Sequence, residues 1–467
     1  MVLTSIQTAT SSAAMSMAHI HVLPVELLLV IISHLAPEDA PPHKKPSTTP
    51  YRSLMLVCRR WRAMIIQTAL FWACVKICPP WNDCDIKFSR FMWSLDLQLA
   101  RSAKATLNLR LSLRRLSFGR ASKVLALLMK HDAFERCQHL ELEPEDHDLS
   151  SIQLEDGNLE DGKFEALQTL KITGGVEGII MPLLERTALN VRHLILGCEY
   201  PQLAKKHPSL LLRVSALELE QCPPKSLALP PALRSLRIPR LPATAEAPQS
   251  HLTRLTVTEL DLMALNTLSF AKLEYLELDI FADDVSMPVV LPGLKHLRFN
   301  GTQMRYWVTV FRPLARIEAP ALISLHIGYP LHSSMHSLLK SVVNSPTYQL
   351  SPLELSLQAT LTPETIHDVL VRSPRVRRLD LTFQSAQQPW NNLAYSLMKQ
   401  KRGATTKCLE LCSDLEVLDI SLEWKLDSEE ERKKWVGYAQ RIMNGRRESG
   451  LRKVRIHWKN GGAVVAD

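Results

Sequence analysis

One phrase constrains this chain more than anything else in it: apolar-x-x-apolar-x-apolar, returning along most of its length. It reads LQTLKI from residue 167, VRHLIL from 191, VSALEL from 214, LRSLRI from 233, LTRLTV from 252 and LEYLEL from 273. The series continues with LKHLRF from 294, LISLHI from 322, LSPLEL from 350, VRRLDL from 376, LEVLDI from 415 and LRKVRI from 451. Successive starts lie 24, 23, 19, 19, 21, 21, 28, 28, 26, 39 and 36 residues apart. ATLNLRLSL at 105 and CQHLEL at 137 are read as the start of the series. Alternation inside each phrase is the pattern of a half-buried strand. A single such strand cannot bury its leucines alone, so each unit must lie against the next.

A period of about 20–29 residues is that of leucine-rich repeats. The expectation is an irregular solenoid of short parallel strands, with helical return segments in longer gaps such as MHSLLKSVVNS and SEEERKKWVGYAQRIMN. The repeats are degenerate. Cys222, three residues after Leu219, stands where the motif often has Asn or Cys, and most other units lack that residue. The polar positions inside the phrases should form one open face, a common recognition surface in solenoids. The candidate substrate-binding residues there are Glu218, Arg237, Tyr275, Glu277, Asp279, His296, Arg298, His326 and Arg378, with Lys171, His193, Thr256, Asn300 and Asp380 beside them. Alternating signs along that row fit a charged peptide. At any single residue they fit better a set of lateral ion pairs, each contributing about 0–1 kcal/mol when exposed.

The N-terminal part follows a different rule. LPVELLLVIISHL, Leu23 to Leu35, is apolar enough to raise the question of a membrane anchor. It contains Glu26, stops at PEDAPP, and falls short of the roughly 20 apolar residues a span needs. The opening MVLTSIQTATSSAAMSMA carries no Lys or Arg, so it has neither the charged start of a secretory signal nor the arginines of a transit peptide. Leu27, Leu28, Ile31, Ile32 and Leu35 recur at helical spacing behind Leu23-Pro24, and Pro suits the first turn of a helix. APEDAPPHKKPSTTP, 36–50, holds five prolines and is a loop. A second helical pattern starts near Tyr51: Leu54, Val57, Cys58, Trp61 and Ile65 share a face, and Leu70, Trp72 and Ile77 continue the apolar set. Three short helices cannot bury all of this among themselves, so part of the surface should seek a partner.

The order LPVELLLVIISHLAPED … LMLVCRRWRAMIIQTALFWACVKI resembles an F-box: Leu-Pro, a Glu two residues on, Val-Cys-Arg-x-Trp-Arg, then an aromatic-Trp pair. The resemblance covers roughly Ile20 to Ile77. It implies docking to a Skp-type adaptor and, through it, to cullin and RING subunits of a ubiquitin ligase. The residues it assigns to the adaptor are Leu23, Pro24, Leu27, Leu28, Ile31 and Ile32, then Leu54, Val57, Cys58 and Trp61, then Leu70 and Trp72. The long proline loop departs from the tight turn the family often has there. WSLDLQLARSAKATLNLRLSL, from Trp93, reads as a helix leading into the first strand. It resembles the junction in fungal F-box proteins with divergent leucine-rich repeats.

Charge and reactive residues narrow the function classes. The chain carries 56 basic and 47 acidic side chains, a net +9. Between Asp96 and Asp132 there is no acid but there are Arg101, Lys104, Arg110, Arg114, Arg115, Arg120, Lys123 and Lys130, and 141–165 is strongly acidic. Adjacent blocks of opposite sign predict a surface that neutralises itself. Phe118 is the one aromatic in the basic block, too few for a nucleic-acid face. The nine cysteines lack C-x-x-C spacing, which gives a zinc site no starting point; reduced thiols in cytoplasm or nucleus are expected. GNLEDGKF at 157–164 imitates a phosphate loop, but Phe164 stands where Ser or Thr should be, and Glu160 and Asp161 would repel phosphate. Cys408 and Cys412 read as packing residues. Catalytic residues, metal and cofactor are all expected to be none.

The expected architecture is α/β: a tail over 1–18, a three-helix F-box-like module over 19–80, a linker helix over 81–104 and a leucine-rich-repeat domain over 105–467. The expected role is a substrate receptor of an SCF-type ubiquitin ligase, with an unidentified protein as substrate. The alternative is a repeat scaffold whose helical head only caps the solenoid, with no ubiquitin role.

Overall fold

The computed structural model describes residues 24–35, 51, 54–79, 85–112, 117–143, 163–173, 184–185, 187–197, 200–221, 226–241, 244–246, 251–260, 270–281, 288–300, 314, 316–328, 343, 345, 350–358, 363–383, 412, 414–423, 428–446, 450–458 and 462–466. Leu23, the proline loop, the linker segment up to Cys84, most of the phosphate-loop look-alike and Cys408 lie outside them. The chain divides into two compact units: residues 1–168 with 177–188, and residues 169–176 with 189–467.

The first unit begins with helix α1, Val25–Leu35. The second helical pattern is not one continuous helix. It splits into a single 3-10 turn, Leu54–Leu56, and helix α2, Arg59–Gln67. Cys58 interrupts them in extended conformation and caps α2, its Sγ accepting from the Trp61 amide at 3.5 Å. Thr68, also extended, ends α2, as suits a β-branched residue that crowds the preceding turn. The third expected helix is a 3-10 turn, Ala69–Trp72. Ile77 belongs to strand β1, Cys74–Ile77, with burial alternating along it. Helix α3, Asp85–Ser102, and helix α4, Phe118–Lys130, follow on either side of β2, Leu107–Leu111; β3 is Cys137–Leu142. β1, β2 and β3 pair in parallel.

α3 buries Phe88, Leu95 and Leu99, seven and then four residues apart and so on one face. Its polar edges answer the basic block. Arg120 bonds Asp85 at 2.9 Å, Lys130 bonds Asp96 at 3.1 Å, and Arg110 pairs with Glu141 and Glu143. The self-neutralising surface is therefore real at these residues. Arg136 fastens the end of α3, donating to the carbonyls of Ala105 at 3.1 Å and His131 at 3.1 Å, to Ser102 Oγ at 3.2 Å, and to Ala103 O.

In the second unit each of the twelve phrases becomes a strand. They are β4 Thr169–Ile172, β5 His193–Leu196, β6 Ala216–Leu219, β8 Ser235–Arg240, β10 Arg254–Leu260, β11 Tyr275–Phe281, β13 His296–Phe299, β15 Ser324–Gly328, β16 Glu354–Gln358, β17 Arg378–Phe383, β18 Val417–Leu422 and β19 Lys453–Trp458. Short strands β7 Ser226–Ala228 with β9 Thr244–Glu246, and β12 Val289–Val290 with β14 Ile317–Glu318, make two side ribbons. β20, Gly462–Ala466, lies antiparallel to β19, while the phrase strands from β4 to β19 pair in parallel, each with the next. Return segments hold helices α5 Tyr200–Lys206, α6 Pro208–Leu211, α7 Pro363–Arg372 and α8 Glu429–Arg446.

The phrase works the same way in most units. Its first apolar residue is buried and sits in a turn: Leu273 N bonds Phe270 O and Leu294 N bonds Leu291 O. Its next two amides then share one carbonyl of the preceding unit, as Glu274 and Tyr275 do on Thr253 O, and Lys295 and His296 on Glu274 O. That fork starts the ladder. The two remaining apolar side chains turn into the core, for example Leu276 and Leu278 at 0% exposure. LSPLEL is set two residues later: its fork falls on Leu353 and Glu354, Leu353 is only half-buried, and Leu355 and Leu357 take the two core places. Each of these strands is laddered to the next, and the leucines are covered by the units on either side.

Candidate functional site

Two surfaces present themselves, one in each unit. In the first unit, Leu28, Trp61, Met64, Ile65, Phe71 and Trp72 make a small core, with Tyr51, Leu54, Met55 and Cys58 packed against it. Trp72 Nε1 donates to Ile65 O at 2.7 Å, and the Tyr51 and Phe71 rings lie 4.8 Å apart. Arg101 of α3 stacks over Trp72 at 4.6 Å. Outside this core stand Val25, Leu27 and Val30 on α1, Leu56 and Val57 before α2, and Leu70 beyond it, exposed by 41 to 80%. These are large apolar side chains left in water, and they flank a core too thin to cover them.

The sequence candidates divide accordingly. Leu28, Trp61 and Trp72 are inside the segment's own core; Pro24, Leu27, Val57 and Leu70 face outward; Ile31, Leu54 and Cys58 are half-buried. Leu23, and the side chain of Ile32, lie outside the described residues. Val25, Val30 and Leu56 were not in the sequence set. The signal for the two valines is that Leu27–Ile32 is an unbroken apolar run going round the helix while only one side can face the core.

Residues 20–78 match the F-box-like family. No curated protein matches the chain. F-box domains are generally found in non-catalytic adaptor subunits and bind Skp-type partners. The F-box-like segment thus carries the half-covered apolar surface just described. Its last strand, β1, is part of the sheet that follows: Asn108 N bonds Ala73 O and Ser112 N bonds Ile77 O, both at 2.9 Å.

The second surface is the open face of the main sheet, where every alternate side chain points away from the leucine core. Register sets one row across adjacent strands: Glu218, Arg237, Thr256, Glu277, Arg298, His326, Ser356, Asp380, Asp419 and Arg455. Tyr275 and His296 lie in the row before it, with Arg254 and Arg378; Asp279 and Asn300 lie in the row after it. The sheet therefore brings the candidate residues of β6 to β17 onto one face.

Much of this face is laterally paired. Arg237 meets Glu218 at 3.2 Å, and Lys171 reaches Glu220 at 3.2 Å past Gly197, where a Cβ would lie 2.9 Å from Glu220 Oε2. Asp419, 8% exposed, accepts from both Arg378 at 2.9 Å and Arg455 at 2.7 Å. Burial opposes its charge, but the bonds from Arg455 and Asp380 and the two guanidinium charges outweigh it and hold its pKa down. Asp380, directly opposite in register, is pushed up by burial and by sharing a hydrogen bond with Asp419. Arg455 and Asp419 were missed in the sequence. Their phrases are the last two, with the widest spacing.

His326 Nδ1 lies 2.8 Å from Ser356 Oγ. Burial, with Arg298 nearby, lowers the His326 pKa and keeps the ring neutral near pH 7. Its Nε2 is packed over Gly328, where a Cβ would come within 2.8 Å. Among the described residues no carboxylate bonds this ring, so it does not complete a nucleophile–base–orienter set. Cys137 and Cys412 are buried thiols, pushed up to about 12 and about 11 by burial, the opposite of an activated nucleophile. Phe164, at the end of the phosphate-loop look-alike, is fully buried with its ring 5.0 Å from Phe134. Among the described residues no helix is long and apolar enough to cross a membrane, and no three His, Cys, Asp or Glu side chains form a group able to hold a metal.

Proposed function

We propose that this protein is a substrate receptor of an SCF-type cullin–RING ubiquitin ligase, working in the cytoplasm or nucleus. The observation that carries the reading is the F-box-like match over 20–78 together with the apolar side chains that this segment leaves uncovered. In this reading Leu27, Val57 and Leu70 touch the Skp-type adaptor, with Val25, Val30 and Leu56 around them. Leu28, Trp61 and Trp72 act from beneath, fixing the spacing of the contact residues. The phrases that follow are degenerate leucine-rich repeats, and their open face, from Glu218 to Arg378, holds the protein target. Catalysis by such a receptor is proximity: it raises the target's effective concentration at a ubiquitin-loaded partner enzyme.

The scaffold alternative draws on one specific observation, the pairing of β1 with β2. It makes the F-box-like segment the edge cover of the strands that follow. Covering an edge and docking an adaptor use different surfaces, so the two roles coexist. Co-purification of the full chain with a Skp-type adaptor tests the proposal. Capture should be lost in Leu27→Asp/Val57→Asp and kept in Arg452→Gln, an exposed site in the second unit. Full capture by the first variant, with its fold intact, refutes the docking surface.

A further inference from the structure

The arginines of the open face are not alike. Arg378 uses Nε on Asp380 and Nη2 on Asp419; Arg455 uses Nε and Nη2 on Asp419; Arg237 uses Nη1 on Glu218. Arg254 and Arg298 differ. Arg254 lies over the Tyr275 ring, 4.2 Å from its centroid, and that stacking is its contact. Arg298 is held through Nε, which donates to Asn300 Oδ1 at 2.7 Å and lies 3.9 Å from Glu277 Oε1. Among the described residues nothing bonds the Nη groups of either. Each guanidinium is held in place while its outer fork is left unused.

The ground between them is built. Arg254, Tyr275 and His296 are consecutive across β10, β11 and β13, and the His296 and Tyr275 rings are 6.3 Å apart. Glu277, between the two arginines, is occupied: Tyr275 Oη donates to one of its oxygens at 2.8 Å and Asn300 Nδ2 to the other. One pinned carboxylate stands against two guanidinium groups, which leaves a net positive charge. Asp279 lies in the row beyond Glu277, while the row of Arg254, Tyr275 and His296 has no acid on these three strands. Asp279 thus lies on the far side of Glu277 from His296.

We propose that Arg254 and Arg298 form an oxyanion-binding subsite for an acidic segment of a protein partner, its carboxylate or phosphate lying across Tyr275 beside His296. Guanidinium forks match both groups bidentately, and Tyr and Arg together are the usual anchors of a protein interface. An open sheet face suits an extended segment better than a small enclosed ligand. The subsite names the substrate chemistry of the receptor proposed above and rests on that reading for its biological role.

The test uses the purified full chain and pools of short synthetic peptides. Each pool has a fixed central residue (Glu, phosphoserine, Gln or Lys) and random flanks without Asp or Glu. Wild type should retain the Glu or the phosphoserine pool over the Gln pool by about tenfold. Which of the two is retained identifies the anion. Arg254→Gln and Arg298→Gln should each reduce that preference and together abolish it. Arg452→Gln, the same charge change far from the subsite, should leave it intact. Urea unfolding verifies that each variant is folded; should Arg298→Gln fail, Arg254→Gln, which removes only a stacking contact, decides alone. No acidic preference in wild type, a preference surviving the double substitution, or one lost in Arg452→Gln each overturns the subsite. Adaptor capture by the double variant is measured separately. It should be normal, so failure of the subsite and failure of the receptor reading give different results.

Discussion

Leu70 and Trp72 are two residues apart in one 3-10 turn, yet they should fail in opposite ways. Leu70 is 70% exposed and Trp72 3%. Fully burying a Leu is worth about 1.5–3 kcal/mol, so covering the exposed part of Leu70 with a partner contributes about 1–2 kcal/mol. Leu70→Asp should therefore weaken adaptor binding by at least about 5- to 30-fold, more once the carboxylate is desolvated. Its unfolding free energy should stay within about 0.5 kcal/mol of wild type, as for surface substitutions generally. Trp72→Ala empties the core around Ile65 and removes the bond to Ile65 O, costing about 3–5 kcal/mol. Titration calorimetry with a Skp-type adaptor and urea unfolding of the full chain separate the two. Leu70→Asp binding like wild type, while folded, would falsify the assignment of this surface; Trp72→Ala without a stability loss would show that the small core is not what holds the segment.

Other consequences follow from the open face. Asp419→Asn should destabilise the second unit by about 3 kcal/mol, because Arg378 and Arg455 lose their shared carboxylate; Asp380→Asn should be neutral or stabilising at pH 7, read by urea midpoint. The two acids have opposite linkage. Asp419, with its lowered pKa, contributes stability above the ordinary Asp range that disappears as pH falls through its folded value, whereas Asp380, raised, contributes stability at low pH that is lost as pH rises through its own folded value. The pH profile of Asp380→Asn should lack the second component. Gly328→Ala should cost about 1 kcal/mol, since the His326 ring must leave Ser356; a smaller cost in the His326→Ala background, measured as a double-mutant cycle, identifies the clash. His326 itself, with a lowered pKa, contributes stability above pH 6.5 that fades as pH falls through its folded value, and His326→Gln should flatten that part of the curve.

The repeat was legible because each phrase states its own burial: three apolar residues, two polar ones facing out, and a partner unit at every step. Register followed from it in the other units, but LSPLEL slips by two: Leu355, not Leu353, lies opposite Leu325. The alternation there runs on through Leu357, so two readings of the same stretch fit the pattern. The N-terminal segment was legible as composition and order but not as helix boundaries. Cys58 and Thr68 take extended backbone that apolar periodicity does not register, so one expected helix became a 3-10 turn followed by α2, and another became the turn at Ala69–Trp72. The pattern also could not separate Leu27 from Leu28, neighbours with 51% and 0% exposure, because both are leucines in one unbroken apolar run. On the open face, the sequence pointed to Arg237, Arg298 and Arg378 alike. What distinguishes them is which edge of each guanidinium is already taken, a fact of side-chain geometry that spacing does not carry.

Strand β1 gives the F-box-like segment a seam rather than a hinge where it meets β2. A swivel there would have to unzip four residues of ladder at once, so a pull on the F-box-like segment is transmitted stiffly into β2 and β3. Lengthening the chain between Trp72 and Cys74 should therefore loosen this seam before it unfolds either side of it.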